Sequence, residues 1–278
     1  LALRAHKPGA GARLARALER LGPAAIKLGQ MMATRPDVVG AEVARALEHL
    51  QDRLPPFSEA EAREEIARAF GKPVERLFSS FGASIAAASI AQVHRAQTAD
   101  DPPVRVAVKI LRPGIREQFG RDLVALAWLA RIAENVSAEA RRLRFTAIVQ
   151  TLSASVALEL DLRMEAAAAG ELYERTKDEA EFRVPHIDWS RTAQSVLTSE
   201  WIDGIPVRDT AALAAAGRDP RAVAVLVMRS FLTQALRDGF FHADMHPGNL
   251  FIDPDGRLAA VDFGIMGRLD AGMRRFMA

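Results

Sequence analysis

The chain has no cysteine. That excludes disulfides, thiolate catalysis and cysteine-ligated zinc, and it suits a reducing compartment. It also lacks any apolar run of the roughly 18–20 residues a membrane-spanning helix needs. The longest candidate, Leu123 to Ile132, is short and contains Arg131. An excess of one charge is missing too. Lys and Arg number 37 against 35 Asp and Glu, a net of +2, which argues against nucleic acid as a partner. No signal peptide and no initiator Met open the sequence, and its last residues, Arg274 to Ala278, fall inside an expected helix. It reads as a segment of a longer protein. The composition is otherwise ordinary for a globular chain: 278 residues, 49% hydrophobic and 26% charged, enough for one large core or two modest ones.

The first third is rich in helix formers. Ala12 to Arg20 and Ala24 to Thr34 read as helices separated by Gly22-Pro23, and Val38 to Leu50 as a third. Leu54-Pro55-Pro56-Phe57 breaks the pattern. Ser58, with Glu61 three residues on, then predicts a capping box that opens a helix running to about Phe70. Beyond Phe81 the texture changes. Ser84 to Ala96 reads as strand, small-residue turn, strand, and Val104 to Leu111 alternates in the strand sense. Long helices are expected over about 117–136 and 138–176, then a strand at Ser195 to Trp201 and a helix over about 220–238. Leu250 to Asp253, the turn Pro254-Asp255-Gly256 and Leu258 to Asp262 predict a hairpin.

The strongest chemical signal is His242-x-Asp244-x-x-x-x-Asn249, with Asp262-Phe263-Gly264 starting thirteen residues after Asn249. Phosphoryl transfer needs a positioned triphosphate, Mg²⁺ to neutralise it, and a carboxylate near the incoming nucleophile. Mg²⁺ takes hard oxygen ligands, usually one or two from protein. Asn249 and Asp262 lie at opposite ends of the expected hairpin and can converge on one cation, while Asp244 would face the acceptor hydroxyl or water. A solvated loop followed by a strand-end Asp is the bland alternative. A zinc site across His242, Asp244 and His246 is another, since alternate strand residues share a face, but Pro247-Gly248 would end such a strand at once.

Lys109 closes the strand Val106-Ala107-Val108-Lys109, the context of the lysine that reaches the α- and β-phosphates in kinases. A carboxylate must orient it. Leu158 to Ala167 offers Glu159, Asp161 and Glu165; if helical throughout, Asp161 and Glu165 share a face and Glu159 points roughly the other way. The Gly-rich phosphate loop is absent. Ala86-Ala87-Ala88-Ser89 stands in its place, a stiffer turn than glycine would make. Gly29, in Lys27-Leu28-Gly29-Gln30, costs its helix about 0.5–1 kcal/mol relative to Ala. Close packing is the ordinary reason to keep such a glycine, with Lys27 and Gln30 simply exposed.

Together these residues resemble the UbiB family of atypical kinases, tied to ubiquinone biosynthesis. The resemblance rests on residues 26–39, 50–57, 84–96, 106–115, 158–166, 200–204, 240–251 and 261–264, nearly the whole chain. It implies an α+β, protein-kinase-like two-lobe fold with a helical N-terminal extension over 1–78, an N-lobe with inserted helices over 79–200, and over 201–278 the start of a C-lobe that is truncated here. It implies that Lys27 and Gln30 carry the extension's signature, which covers the place of a protein substrate and approaches the acidic pair Glu159 and Asp161. Glu165 matches the glutamate paired with Lys109. Ala86, Ala87, Ala88 and Ser89 match the family's Ala-rich phosphate turn, and Asp244 the catalytic aspartate. Asn249 and Asp262 match the Mg²⁺ ligands, while Glu200 and Trp201 fall at the lobe hinge that receives adenine. Ala91 departs from the Gly of many members.

The implied cofactors are ATP or ADP with Mg²⁺. The implied setting is the cytoplasmic face of a bacterial inner membrane, peripheral or anchored by a tail outside this segment, beside isoprenoid-quinone precursors and quinone-biosynthesis enzymes. Three activities compete: an atypical kinase or ATPase without protein substrates in trans, a nucleotide-gated scaffold for lipid or enzymes, and a small-molecule kinase of the aminoglycoside or choline type.

Overall fold

The computed structural model describes residues 10–48, 50 and 55–277. Residues 51–54 of the Leu50 to Phe57 motif therefore lie outside the described residues. In chain order the helices are α1 Ala10–Leu21, α2 Pro23–Ala33, α3 Pro36–Val39, α4 Ala41–Leu47, α5 Glu59–Phe70, α6 Ile115–Val136, α7 Ala138–Leu143, α8 Phe145–Glu159, α9 Leu162–Thr176, α10 Thr210–Ala215, α11 Pro220–Leu232 and α12 Ala271–Met277. The strands are β1 Phe78–Ala87, β2 Ala91–Thr98, β3 Arg105–Leu111, β4 Phe182–Arg183, β5 Val196–Glu200, β6 Ile205–Pro206, β7 Phe240–His242, β8 Leu250–Ile252, β9 Leu258–Ala260 and β10 Met266–Arg268. The chain divides into two compact units. One comprises 1–62, 84–92 and 111–160, the other 63–83, 93–110 and 161–278.

The first unit is built mainly from helices. Ile26, Leu47 and Leu50 form a buried cluster, flanked by Leu18, Met32 and Val43. Gly29 packs closely there: a Cβ on it would stand 2.3 Å from a Leu50 methyl and 2.8 Å from one of Leu18, so those side chains would have to move. Gly40, at φ 82°, splits the expected helix over 38–50 into α3 and α4. The capping box forms as the sequence predicts, with the Ser58 N–H donating to Glu61 Oε2 at 2.9 Å and the Glu61 N–H to Ser58 Oγ at 3.2 Å. The second half of this unit stacks α6 against α7 and α8.

The expected helix over 138–176 is broken twice. Arg144 adopts a left-handed conformation (φ 57°), and at Leu160-Asp161 the backbone leaves helical geometry (Asp161 φ −118°, ψ 94°). Asp161 caps the new helix α9, accepting from the Arg163 N–H at 3.1 Å. No Gly or Pro marks either break, so the helical period runs through both in the sequence.

Most strand residues fall in the second unit. One sheet has strand order β1-β2-β3-β5, another β4-β9-β8-β6, and β10 pairs with β7. Val106, Val108 and Ile110 of β3 are buried, and antiparallel β5 sets Lys109 opposite Leu197. Because strand side chains alternate, burying those three points Lys109 to the other face. Helix α9 packs on β4 and β5. The expected helix over 220–238 is α-helical only to Leu232; Thr233–Asp238 continues it as a π-helix.

Candidate nucleotide site

All the residues of this site belong to the second unit. Lys109 Nζ donates to both carboxylate oxygens of Glu165 at 2.9 Å and to Asp262 Oδ1 at 3.1 Å. Three donors meet three carboxylate oxygens, one of them on the accessible Asp262 side chain. The side chains of Lys109 and Glu165 are only 19% and 9% exposed. Burial disfavours the Lys109 charge, yet the Glu165 and Asp262 carboxylates outweigh it and hold the lysine above its ordinary value. Asp262 is held below the usual carboxylate range, chiefly by the Lys109 charge working against burial. Glu165 is pushed up by burial despite Lys109. Of the three carboxylates the sequence offered to Lys109, the break at Leu160-Asp161 delivers Glu165. It lies in the first turn of α9 and also accepts a backbone hydrogen bond from Phe263.

The Asp262 side chain keeps 49% of its exposure, so it stays accessible beyond Lys109. Its backbone is left-handed at φ 65°, a strained conformation for a non-glycine residue and one Asp tolerates better than most. At the other end of the β8–β9 hairpin, Asn249 Nδ2 donates to Asp244 Oδ2 at 3.0 Å and to the Asp244 carbonyl at 3.3 Å. That fixes the amide, and among the described residues no hydrogen bond engages Asn249 Oδ1. The Val261 N–H donates to the Asn249 carbonyl at 2.8 Å, tying the two ends of the hairpin together. The donor set suits Mg²⁺: one ionised carboxylate and one amide oxygen, both hard ligands.

His242 is fully buried. Its Nδ1 accepts from the Asp244 N–H at 3.2 Å, and its Nε2 lies 3.2 Å from the Val261 carbonyl and donates to it. Both ring nitrogens are spent on backbone groups, so His242 offers none to zinc; its work is to hold Asp244 in place. Gln234, in the π-helical turn, supports it by accepting from the His242 N–H.

At the end of β5, Glu200 pairs with Arg183 and accepts from the His186 N–H at 3.3 Å. Trp201 donates its indole N–H to Asp203 at 3.0 Å and lies under the Arg95 guanidinium, 5.0 Å from the ring centre. Arg183 also reaches Asp253, 3.6 Å away, whose fully buried carboxylate accepts from Arg257 Nε at 2.9 Å. Arg183 and Asp253 are neighbours of the site that the sequence does not flag. Asp253 is visible only as the opening of a turn, and its pairing with β4 is a tertiary event.

The remaining candidates belong to the first unit. Lys27 on α2 forms an ion pair of 2.6 Å with Glu159, the last residue of α8, and Gln30 lies half-buried on the same helix. In the Ala86–Ser89 turn, the Ala88 N–H donates to the Ala91 carbonyl at 2.8 Å and Ser89 is buried. Arg112 donates to the carbonyls of Ser89 and Pro55 at 3.2 and 2.8 Å, stiffening the turn further. Asp161, assigned to the second unit, pairs with Arg163 at 2.6 Å.

A sheet lysine bonded to a helix carboxylate and to the Asp of an Asp-Phe-Gly turn, above a hairpin carrying Asn249, defines a protein-kinase-like fold. The chain matches the ABC1 atypical kinase-like domain over residues 49–278 and belongs to that family. It is 41% identical over 96% of its length to a probable protein kinase UbiB of Marinobacter nauticus, and 42% identical over the same share to one of Xanthomonas oryzae. A Xylella fastidiosa relative of the same name is 41% identical. The chain spans about half (50%) of the length of these relatives. Among solved structures, the complex of Rv3197 with erythromycin from Mycobacterium tuberculosis matches with a TM-score of 0.59 and 29% identity, over 93% of this chain and 65% of that one.

Proposed function

We propose that this segment binds a Mg²⁺-nucleotide, ATP or ADP, and serves ubiquinone biosynthesis as an atypical kinase or ATPase. The observation that carries this reading is the Lys109–Glu165–Asp262 arrangement, joined to Asn249 and Asp244 at the hairpin mouth. Lys109 would hold the α- and β-phosphates, oriented by Glu165. Asn249 Oδ1 and the Asp262 carboxylate would hold Mg²⁺, which neutralises the phosphate charge. Asp244, fixed by Asn249 and His242, would face the incoming hydroxyl or water. Glu200 and Trp201 are the proposed adenine-side residues, and Ala86, Ala87, Ala88 and Ser89 the phosphate turn.

Lys27, Gln30, Glu159 and Asp161 are proposed as regulatory residues. The Lys27–Glu159 ion pair supports this for two of them. The names of the relatives support the quinone pathway, and with it work at the inner membrane beside isoprenoid-quinone precursors and their enzymes. A nucleotide-gated scaffold is the second reading, favoured by the Arg112 bonds that stiffen the alanine turn.

Thermal unfolding with and without Mg²⁺-ATP or Mg²⁺-ADP tests the site. Ligand at about a hundred times its dissociation constant stabilises by about 2.7 kcal/mol. The Mg²⁺-dependent shift should vanish in Lys109→Ala and Asp262→Asn. A shift that survives in both variants places the nucleotide elsewhere. Asp244→Asn should keep the shift and lose turnover; if quinone production in cells survives that loss, the scaffold reading replaces the enzymatic one.

A further inference from the structure

Within the first unit, the carbonyl side of the alanine turn ends on one residue. Arg112 Nε donates to the Ser89 carbonyl at 3.2 Å, and its Nη2 to those of Pro55 at 2.8 Å and Ala88 at 3.5 Å. The Arg112 backbone N–H donates to the Ile90 carbonyl at 2.7 Å. Three successive carbonyls, of Ala88, Ser89 and Ile90, therefore converge on Arg112. A planar fork of guanidinium donors suits this task; a lysine, a single point of charge on a flexible stem, suits it poorly.

The segment 55–57, just ahead of α5, is clasped to the same turn. Gln92 is 1% exposed; it accepts from the Phe57 N–H at 3.0 Å and donates to the Phe57 carbonyl at 3.2 Å. The Phe57 ring lies against the Arg112 guanidinium, its centre 5.3 Å from the guanidinium carbon. Among the described residues no salt bridge engages Arg112. Glu61, the acid whose charge reaches it, is itself bound by the Ser58 N–H and hydroxyl at 2.9 and 2.7 Å. The side-chain hydrogen bonds of Arg112 thus go to backbone carbonyls, two of them in or beside the turn and one in the 55–57 strap.

A glycine loop can bend onto phosphate when the ligand arrives. A run of alanines has little of that freedom, so it serves best already standing in its binding conformation. A segment ordered in advance loses less entropy on binding. We propose that Arg112 is a positioning residue for the nucleotide: with the 55–57 strap it pins the alanine turn in one conformation before phosphate arrives. The inference rests on the phosphate-turn assignment proposed above. It applies to the enzymatic and the scaffold readings alike, since both bind nucleotide there, and it names the device that makes a turn without glycine competent.

The test is hydrogen–deuterium exchange of peptides covering residues 84–91, read beside Mg²⁺-ADP and Mg²⁺-ATP affinity on the same 278-residue chain. In wild type the turn should exchange slowly without nucleotide, and nucleotide should slow it by no more than about twofold. In Arg112→Gln the free turn should exchange about tenfold faster, and nucleotide should restore its protection. Affinity should fall about fivefold, because binding must then order the turn. Phe57→Leu keeps apolar packing but removes the ring from the guanidinium; it should move both readouts the same way, by about twofold. A wild-type turn that is open when free and closes only on nucleotide overturns the proposal. So does an Arg112→Gln chain with wild-type affinity, or one with a lowered unfolding midpoint and unchanged exchange at the turn. If Arg112→Gln does not fold, Phe57→Leu decides by the same two readouts. Wild type with no Mg²⁺-nucleotide binding removes the nucleotide site, and this role of Arg112 with it. Binding lost in Lys109→Ala but unaltered in Arg112→Gln removes only the pin.

Discussion

Replacing Glu165 by glutamine removes one charge from the Lys109 arrangement while keeping shape and one acceptor. Breaking a buried ion pair by removing one partner costs about 3–5 kcal/mol, because the remaining charge is left uncompensated. Here the loss is smaller. Asp262 stays 3.1 Å from the ammonium and the glutamine carbonyl keeps one hydrogen bond. We expect about 2 kcal/mol, or a fall of about 4–8 °C in the unfolding midpoint for a chain of this size. Thermal unfolding of Lys109→Met, Glu165→Gln and the double variant forms a cycle. The double variant should be less destabilised than the two single changes summed, because it strands neither the ammonium nor the buried Glu165 carboxylate. Additive effects, or a Glu165→Gln midpoint within about one degree of wild type, would refute the idea that the pair is energetically coupled.

Gly29→Ala should destabilise the first unit by about 1–2 kcal/mol, since crowding the Leu18 and Leu50 methyls outweighs the gain in helix propensity; a stabilised variant in denaturant titration would contradict the packing account. Lys109 is held above its ordinary value of 10.5. Its ionic contribution is therefore complete below that pH and lost only as pH rises through the higher folded value, so Mg²⁺-nucleotide affinity should persist to about pH 10. Calorimetric titration showing a loss well below that pH would mean that the carboxylates do not hold the lysine. Asp253→Asn should cost about 2–3 kcal/mol by leaving Arg183 and Arg257 facing a neutral group, read as a lower midpoint in thermal unfolding. An unchanged midpoint would reduce the cluster to a surface contact.

Much of the site was legible because its signals are local. The hairpin turn, the alternation of β3 and the Ser58–Glu61 capping box each lie within a few residues, and each forms where the sequence puts it. Gly29 was legible as an anomaly, and Leu18 and Leu50 supply its reason. The local pattern left the choice among Glu159, Asp161 and Glu165 open; the family resemblance pointed to Glu165, and Glu165 is the one that meets Lys109. The geometry depends on a helix break that neither Gly nor Pro announces, and Asp161 reveals itself as a cap only once the helix has ended. The strained backbone of Asp262 was equally hidden, because Asp is common in ordinary turns. Arg183 and Asp253 meet across strands about seventy residues apart in the sequence, and no local pattern encodes such a meeting.

Asn249 and Asp262 sit at the mouth of the β8–β9 hairpin, and the Val261-to-Asn249 hydrogen bond closes that mouth. The span between the two proposed ligand residues is thus set by the width of one strand pair, and not by the number of residues between them. Descendants of this sequence could lengthen the Pro254–Gly256 tip, or carry a grafted peptide there, without retuning the cation geometry. A single-residue slip inside either strand would spoil it. Evolutionary freedom and constraint lie on the same short hairpin, separated by three residues of strand.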